Sequence, residues 1–144
     1  MIAAVCSSRL PMHEILLLQK KFNSAGGKGR LALVDGKMKV SKRVLAAAEK
    51  LAVDASRAGV AISDKMEMEF LLWLAQTAHV KNAIEKAGAK NSGKFIAVMV
   101  GEGKKEELQE AMKALKAKVS GTIAKTSPDD FEEIEKMALG RISG

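Results

Sequence analysis

The residues able to do chemistry in this chain are few and widely spread. Its two histidines, His13 and His79, stand sixty-six positions apart, and Cys6 is its one cysteine. His and Cys alone therefore cannot assemble a metal site of the usual ligand spacing. Cys6 ends the apolar run Ile2-Ala-Ala-Val-Cys6, the setting of an inert buried thiol rather than an activated nucleophile. Glu67 and Glu69 fall on one face if their segment is a strand, an arrangement that suits an acid–base pair or, more simply, a solvated edge. Two glycine-rich stretches have exposed backbone donors. Gly26-Gly-Lys-Gly-Arg30 follows a helix and precedes a strand, the reverse of a P-loop, and reads as a helix stop. Gly101-Glu-Gly-Lys-Lys105 does lie between a strand and a helix and can act as an anion nest. However, Glu106 stands where a dinucleotide fingerprint needs its third glycine, and no Gly-Lys-Ser or Gly-Lys-Thr occurs. A small enzyme acting on a phosphorylated or nucleotide ligand stays open on that turn alone.

Charge is the stronger signal. The 144 residues carry 24 Lys and Arg against 17 Asp and Glu, a net charge of +7, which points to an anionic partner. Residues 1–50 hold ten of the cations and three of the acids, while the remainder balances at fourteen of each. Lys20, Lys21, Lys28, Arg30, Lys37, Lys39, Lys42 and Arg43 cluster at helix ends and turns, where long cations can reach phosphates. Aromatic residues are 3% with no tyrosine, so RNA would be held by phosphate contacts and polar pockets rather than on a stacking platform, as in a free-standing basic RNA-binding protein. A lone cysteine suits a reducing cytoplasm. The longest apolar run, Phe70 to Ala75, is too short for a bilayer, so no membrane association is expected.

The elements that must position these residues follow from hydrophobic period. Ile2 to Cys6, Leu31 to Val34 and Phe95 to Val100 read as strands, with Val119 to Ile123 as an edge strand. Helices are expected from Pro11, with Met12, Ile15, Leu16, Gln19 and Phe22 on one stripe, and from a Ser41 cap, burying Val44, Ala48, Leu51 and Ala55. Met66-Glu-Met-Glu-Phe70 alternates and then turns apolar on both faces, the pattern of a strand entering a covered sheet. A helix over 77–87 carries the stripe Val80, Ala83, Ile84 and Ala87. Another carries Leu108, Ala111, Met112 and Leu115. Ser127-Pro-Asp-Asp130 opens the last helix with a capping hydroxyl, a proline at the first helical position and acids at the dipole's positive end, and Phe131, Ile134, Met137 and Ala138 form its apolar face. The sum is one α+β domain over 1–144, a mixed sheet flanked by helices.

The block from Met68 to Ala89 resembles the Cgi-type regulatory subunit family of the KEOPS complex, whose animal members are called PRPK-binding protein (TPRKB). The shared features are a Met-Glu-apolar segment, a polar loop, a helix with Val80, Ala83 and Ile84, a glycine ending it and a following apolar strand. Val40-Ser-Lys-Arg-Val-Leu45 with Ala48 is similar to the family's first long helix, and Glu135-Lys-Met-Ala-Leu139 to its C-terminal helix, so the likeness covers residues 40–142. It implies an α+β protein, of archaeal type, without a catalytic site or cofactor. Such a subunit binds and activates the small atypical Bud-type kinase and recruits tRNA by its CCA acceptor end, for threonylcarbamoyladenosine modification next to the anticodon.

Carried over residue by residue, the resemblance implies that Lys42 and Arg43 grip the tail's phosphates and that Gln76, Thr77 and His79 contact base or sugar. The chain departs from the family in the loop Ala75 to Val80, which lacks its basic residue and has His79 at the glutamine position, and at Val44, where the family often has histidine. For the kinase, the implied contacts are Met137, Leu139, Arg141 and Ile142 on the C-terminal helix. Removing the last eight residues is expected to weaken kinase binding and leave the fold intact.

Overall fold

The computed structural model describes residues 2–143, with side chains through residue 139. Along the chain run β1 (Ile2–Ser8), α1 (Met12–Ser24), β2 (Gly29–Asp35), α2 (Lys42–Arg57), α3 (Met66–Leu74), α4 (Val80–Ala87), β3 (Phe95–Gly101), α5 (Lys105–Ala114), β4 (Ala117–Gly121) and α6 (Asp130–Ser143). The strands form one sheet in the order β2-β3-β1-β4, and every neighbouring pair is antiparallel. The class is α+β, but the sheet is antiparallel rather than mixed.

Strand alternation splits the core in two. On β3, Phe95, Ala97 and Met99 face one side with Ile15 of α1 and Leu108 and Ala111 of α5, while Ile96, Val98 and Val100 face α2, α3, α4 and α6. A strand covered on both faces has no polar face to show, which is why β3 reads as an unbroken apolar run. The outer edge of β2 is covered too. The Asn23 side chain both accepts from Leu31 N (2.7 Å) and donates to Leu31 O (3.0 Å), standing in for a further strand, and Ala89 N donates to Leu33 O at 3.3 Å.

Three expectations are corrected. Met66 to Leu74 is a helix, not a strand, and none of its residues is exposed. Its acids face inward. Glu67 pairs with Arg30 at 3.0 Å, and Glu69, 0% exposed, accepts from Ile62 N, Ser63 N and Trp73 Nε1 at 3.0, 3.1 and 2.9 Å. They are therefore neither a solvated edge nor a surface acid–base pair; they tie α3 to β2 and to the loop before it. On α4 only Ala83 and Ala87, four residues apart on one face, are buried, and Val80 and Ile84 are exposed. On α1, Ile15 is buried while Leu16 is 44% exposed.

Candidate functional site

The predicted RNA-contacting residues stand at two helix boundaries that meet at the start of α6. Ser41 caps α2 as expected, its hydroxyl accepting from Val44 N at 3.2 Å. The next two amides are also satisfied: Lys42 N donates to Ala124 O at 2.8 Å and Arg43 N to Lys125 O at 3.2 Å. With these three donors used, α2's first turn has only the exposed Lys42 and Arg43 side chains to offer a phosphate.

α3 ends in a Schellman motif. Thr77 N donates to Leu72 O and Gln76 N to Trp73 O, both at 3.1 Å, which holds Gln76 at a φ of 58°, the left-handed conformation usually given to glycine. Gln76 is not free to read a base, because its Nε2 donates to Glu133 Oε2 at 3.0 Å. Thr77 Oγ1 accepts from His79 N at 3.2 Å, and His79 itself is exposed before α4.

The first turn of α6 joins the two groups. The regular helix begins at Asp130, and the Ser127 hydroxyl caps the turn before it as expected, accepting from Asp129 N at 3.5 Å; the Asp130 carboxylate reaches back to accept from Ser127 N at 2.8 Å and also accepts from Ser41 Oγ at 2.6 Å. The Ser41 hydroxyl, the Ser127 amide and the charge of Arg43 together hold Asp130 below the ordinary carboxylate value. Lys39, Ser41, Asp129, Asp130 and Glu133 line a cavity of about 420 Å³ here. The structure thus brings Ser41-Lys42-Arg43 and Gln76 around one acidic turn, with exposed cations on its α2 side.

The predicted kinase-contacting residues separate. Met137 is 0% exposed and packs with α2 and α3 in the core, so it presents no surface, and removing the last eight residues would remove a core side chain along with any docking surface. Leu139 is 56% exposed. Arg141 and Ile142 lie outside the residues whose side chains are described. Phe131, expected on the core face, is instead 82% exposed. Asp130, Ile134 and Met137 make the inward stripe, and Phe131 lies a hundred degrees around the helix from its first member, a phase that depends on Asp130 being buried against Ser41 and that spacing alone does not give.

Among the described residues no group of three or more His, Cys, Asp and Glu is placed to hold a metal ion, and no helix is long and apolar enough to cross a membrane. A search of curated proteins returned no significant match. The family model described as "Kinase binding protein CGI-121" matches residues 14–140, from α1 into α6. The chain belongs to the CGI-121 family of kinase-binding proteins.

Proposed function

We propose that this protein is a non-catalytic regulatory subunit of the KEOPS complex in the cytoplasm, one that binds and activates a small Bud-type atypical kinase and recruits tRNA by its CCA end for threonylcarbamoyladenosine modification. Family membership supplies the kinase-binding character. The observation that carries the docking site is the outer face of α6, where Phe131 is 82% and Leu139 56% exposed while Met137 anchors the helix to the core. A large aromatic left in water on an anchored helix is a natural partner contact. On this reading Leu139 extends the surface that Phe131 begins, and Arg141 and Ile142 are proposed as further kinase contacts.

tRNA recruitment is supported by the N-terminal charge excess and by the exposed Lys42, Arg43 and His79. Gln76 and Thr77 then act chiefly by shaping the loop that presents His79. The experiment is paired: the chain is mixed with the Bud-type kinase, and separately with tRNA keeping or lacking its CCA end. Co-elution with the kinase and loss of tRNA binding on removing CCA are expected. Equal binding to both tRNAs with no kinase complex would leave only a generic basic RNA binder.

A further inference from the structure

Beside the C-terminal half of α2, the start of α3 and the end of β3 enclose a cavity of about 460 Å³, a volume in the range of small-molecule sites. Its wall on α2 follows from helix spacing: Glu49, Val53 and Arg57 recur every four residues on one face, with Lys50 and Asp54 alongside. Its floor is apolar, made by Val53 and Met66 over the buried Val100. Gly101 leaves β3 at a φ of 94°, and its N–H donates to Glu49 Oε2 at 3.1 Å, so α2 and the strand end are laced together before any ligand arrives.

The charges around this floor are unequally committed. Arg30 is fixed by Glu67 at 3.0 Å and by the Asn23 carbonyl at 2.7 Å, and Lys50 pairs with Asp54 at 2.8 Å. Lys28 makes no ion pair among the described residues, and Arg57 reaches Glu102 only at 3.9 Å, with both of those groups exposed. Two available cations therefore stand over an apolar floor with carboxylates in the same cavity.

That combination selects a ligand by elimination. A polyanion would meet Glu49, Asp54 and Glu102, a bare phosphate would leave the floor unused, and an apolar molecule would strand the cations. We propose that the cavity binds a nucleoside monophosphate, with the phosphate on Lys28 and Arg57, the sugar hydroxyls donating to Asp54 or Glu49, and the base on Val53 and Met66. The site is separate from the α6 face and from Lys42 and Arg43, and it stands whether or not the kinase and tRNA readings do. The three carboxylates that exclude a polyanion make the ligand a free nucleotide rather than a unit of RNA.

The test is a ¹⁵N–¹H correlation titration of the full chain with adenosine 5′-monophosphate, adenosine and inorganic phosphate. Adenosine monophosphate should move the amides of Arg30, Val53 and Gly101 saturably, with adenosine and phosphate each binding at least about tenfold more weakly. Arg57→Ala and Lys28→Ala, both at exposed side chains, should each weaken the nucleotide about tenfold with the rest of the spectrum unchanged. A short single-stranded RNA should not compete for these amides, and competition by it would overturn the assignment to a free nucleotide. No saturable shift at these amides with millimolar nucleotide, or shifts untouched by Arg57→Ala and Lys28→Ala, overturns the proposal.

Discussion

The Ser41 hydroxyl donates to the Asp130 carboxylate at 2.6 Å, with both residues buried, and each of the two begins a helix. Ser41 caps α2, and Asp130 closes the entry to α6 by accepting from the backbone N–H of Ser127, whose own hydroxyl accepts from Asp129 N. One hydrogen bond thus fixes the start of the helix that carries Lys42 and Arg43 against the start of the helix that carries Phe131. Replacing Ser41 by Ala should lower stability by about 1–2 kcal/mol through loss of the α2 cap, read as a lower urea midpoint at unchanged m.

The same pair gives a pH dependence with a definite sign. Asp130 is held below its ordinary value of 3.8, first by the Ser41 hydroxyl and then by the Ser127 amide and Arg43. A lowered native pKa means that the carboxylate's contribution is complete above the unfolded value and is lost as pH falls through the native one. Asp130→Asn should therefore flatten the acid limb of the stability profile below about pH 4 and cost stability at neutral pH. An acid limb identical to wild type would show that other carboxylates set it.

Glu69 is a buried acid that accepts three hydrogen bonds. Substitution by Ala removes three hydrogen bonds, those that Glu69 accepts from the amides of Ile62 and Ser63 and from the indole N–H of Trp73. Hydrogen bonds to a charged acceptor contribute about 1.5–3 kcal/mol each. Thermal unfolding should show a lower Tm, with tryptophan fluorescence changed in the native baseline because the indole loses its bond.

At Gln76 two substitutions should separate backbone strain from the side-chain bond. Ala keeps the left-handed strain and loses the bond to Glu133, whereas Gly loses the bond but removes the strain. Gln76→Gly should be the more stable of the two by about 1 kcal/mol, and the reverse order would mean that the turn can relax around Ala.

Much of this fold is legible in the sequence, and the exceptions share a cause. β3 and the Ser41 cap follow from an apolar run and a short-range hydrogen bond, both local properties. α3 does not. Its acids alternate with apolar residues from Met66 to Phe70, yet both acids point inward to Arg30, to loop amides and to Trp73, so the polarity pattern no longer marks the solvent face. A helix buried on nearly every side also lacks the one-sided stripe that reveals a helix. The candidate site shows the same split. Lys42 and Arg43 are exposed where the cap places them, but the engagement of Gln76 by Glu133, fifty-seven residues away, is a tertiary event. Met137 keeps its expected place on the core face of α6 and Phe131 does not, because the phase of the helix is set by the buried Asp130.

The central claim, that the outer face of α6 receives the kinase, is tested most directly by calorimetric titration of the Bud-type kinase into wild type and Phe131→Ser. Because Phe131 is 82% exposed, the substitution should change stability by no more than about 0.5 kcal/mol. The account predicts an intact fold and kinase affinity reduced about thirtyfold or more, the loss of a hot-spot aromatic. Unchanged affinity in the folded variant would contradict it and move the kinase site elsewhere on the molecule.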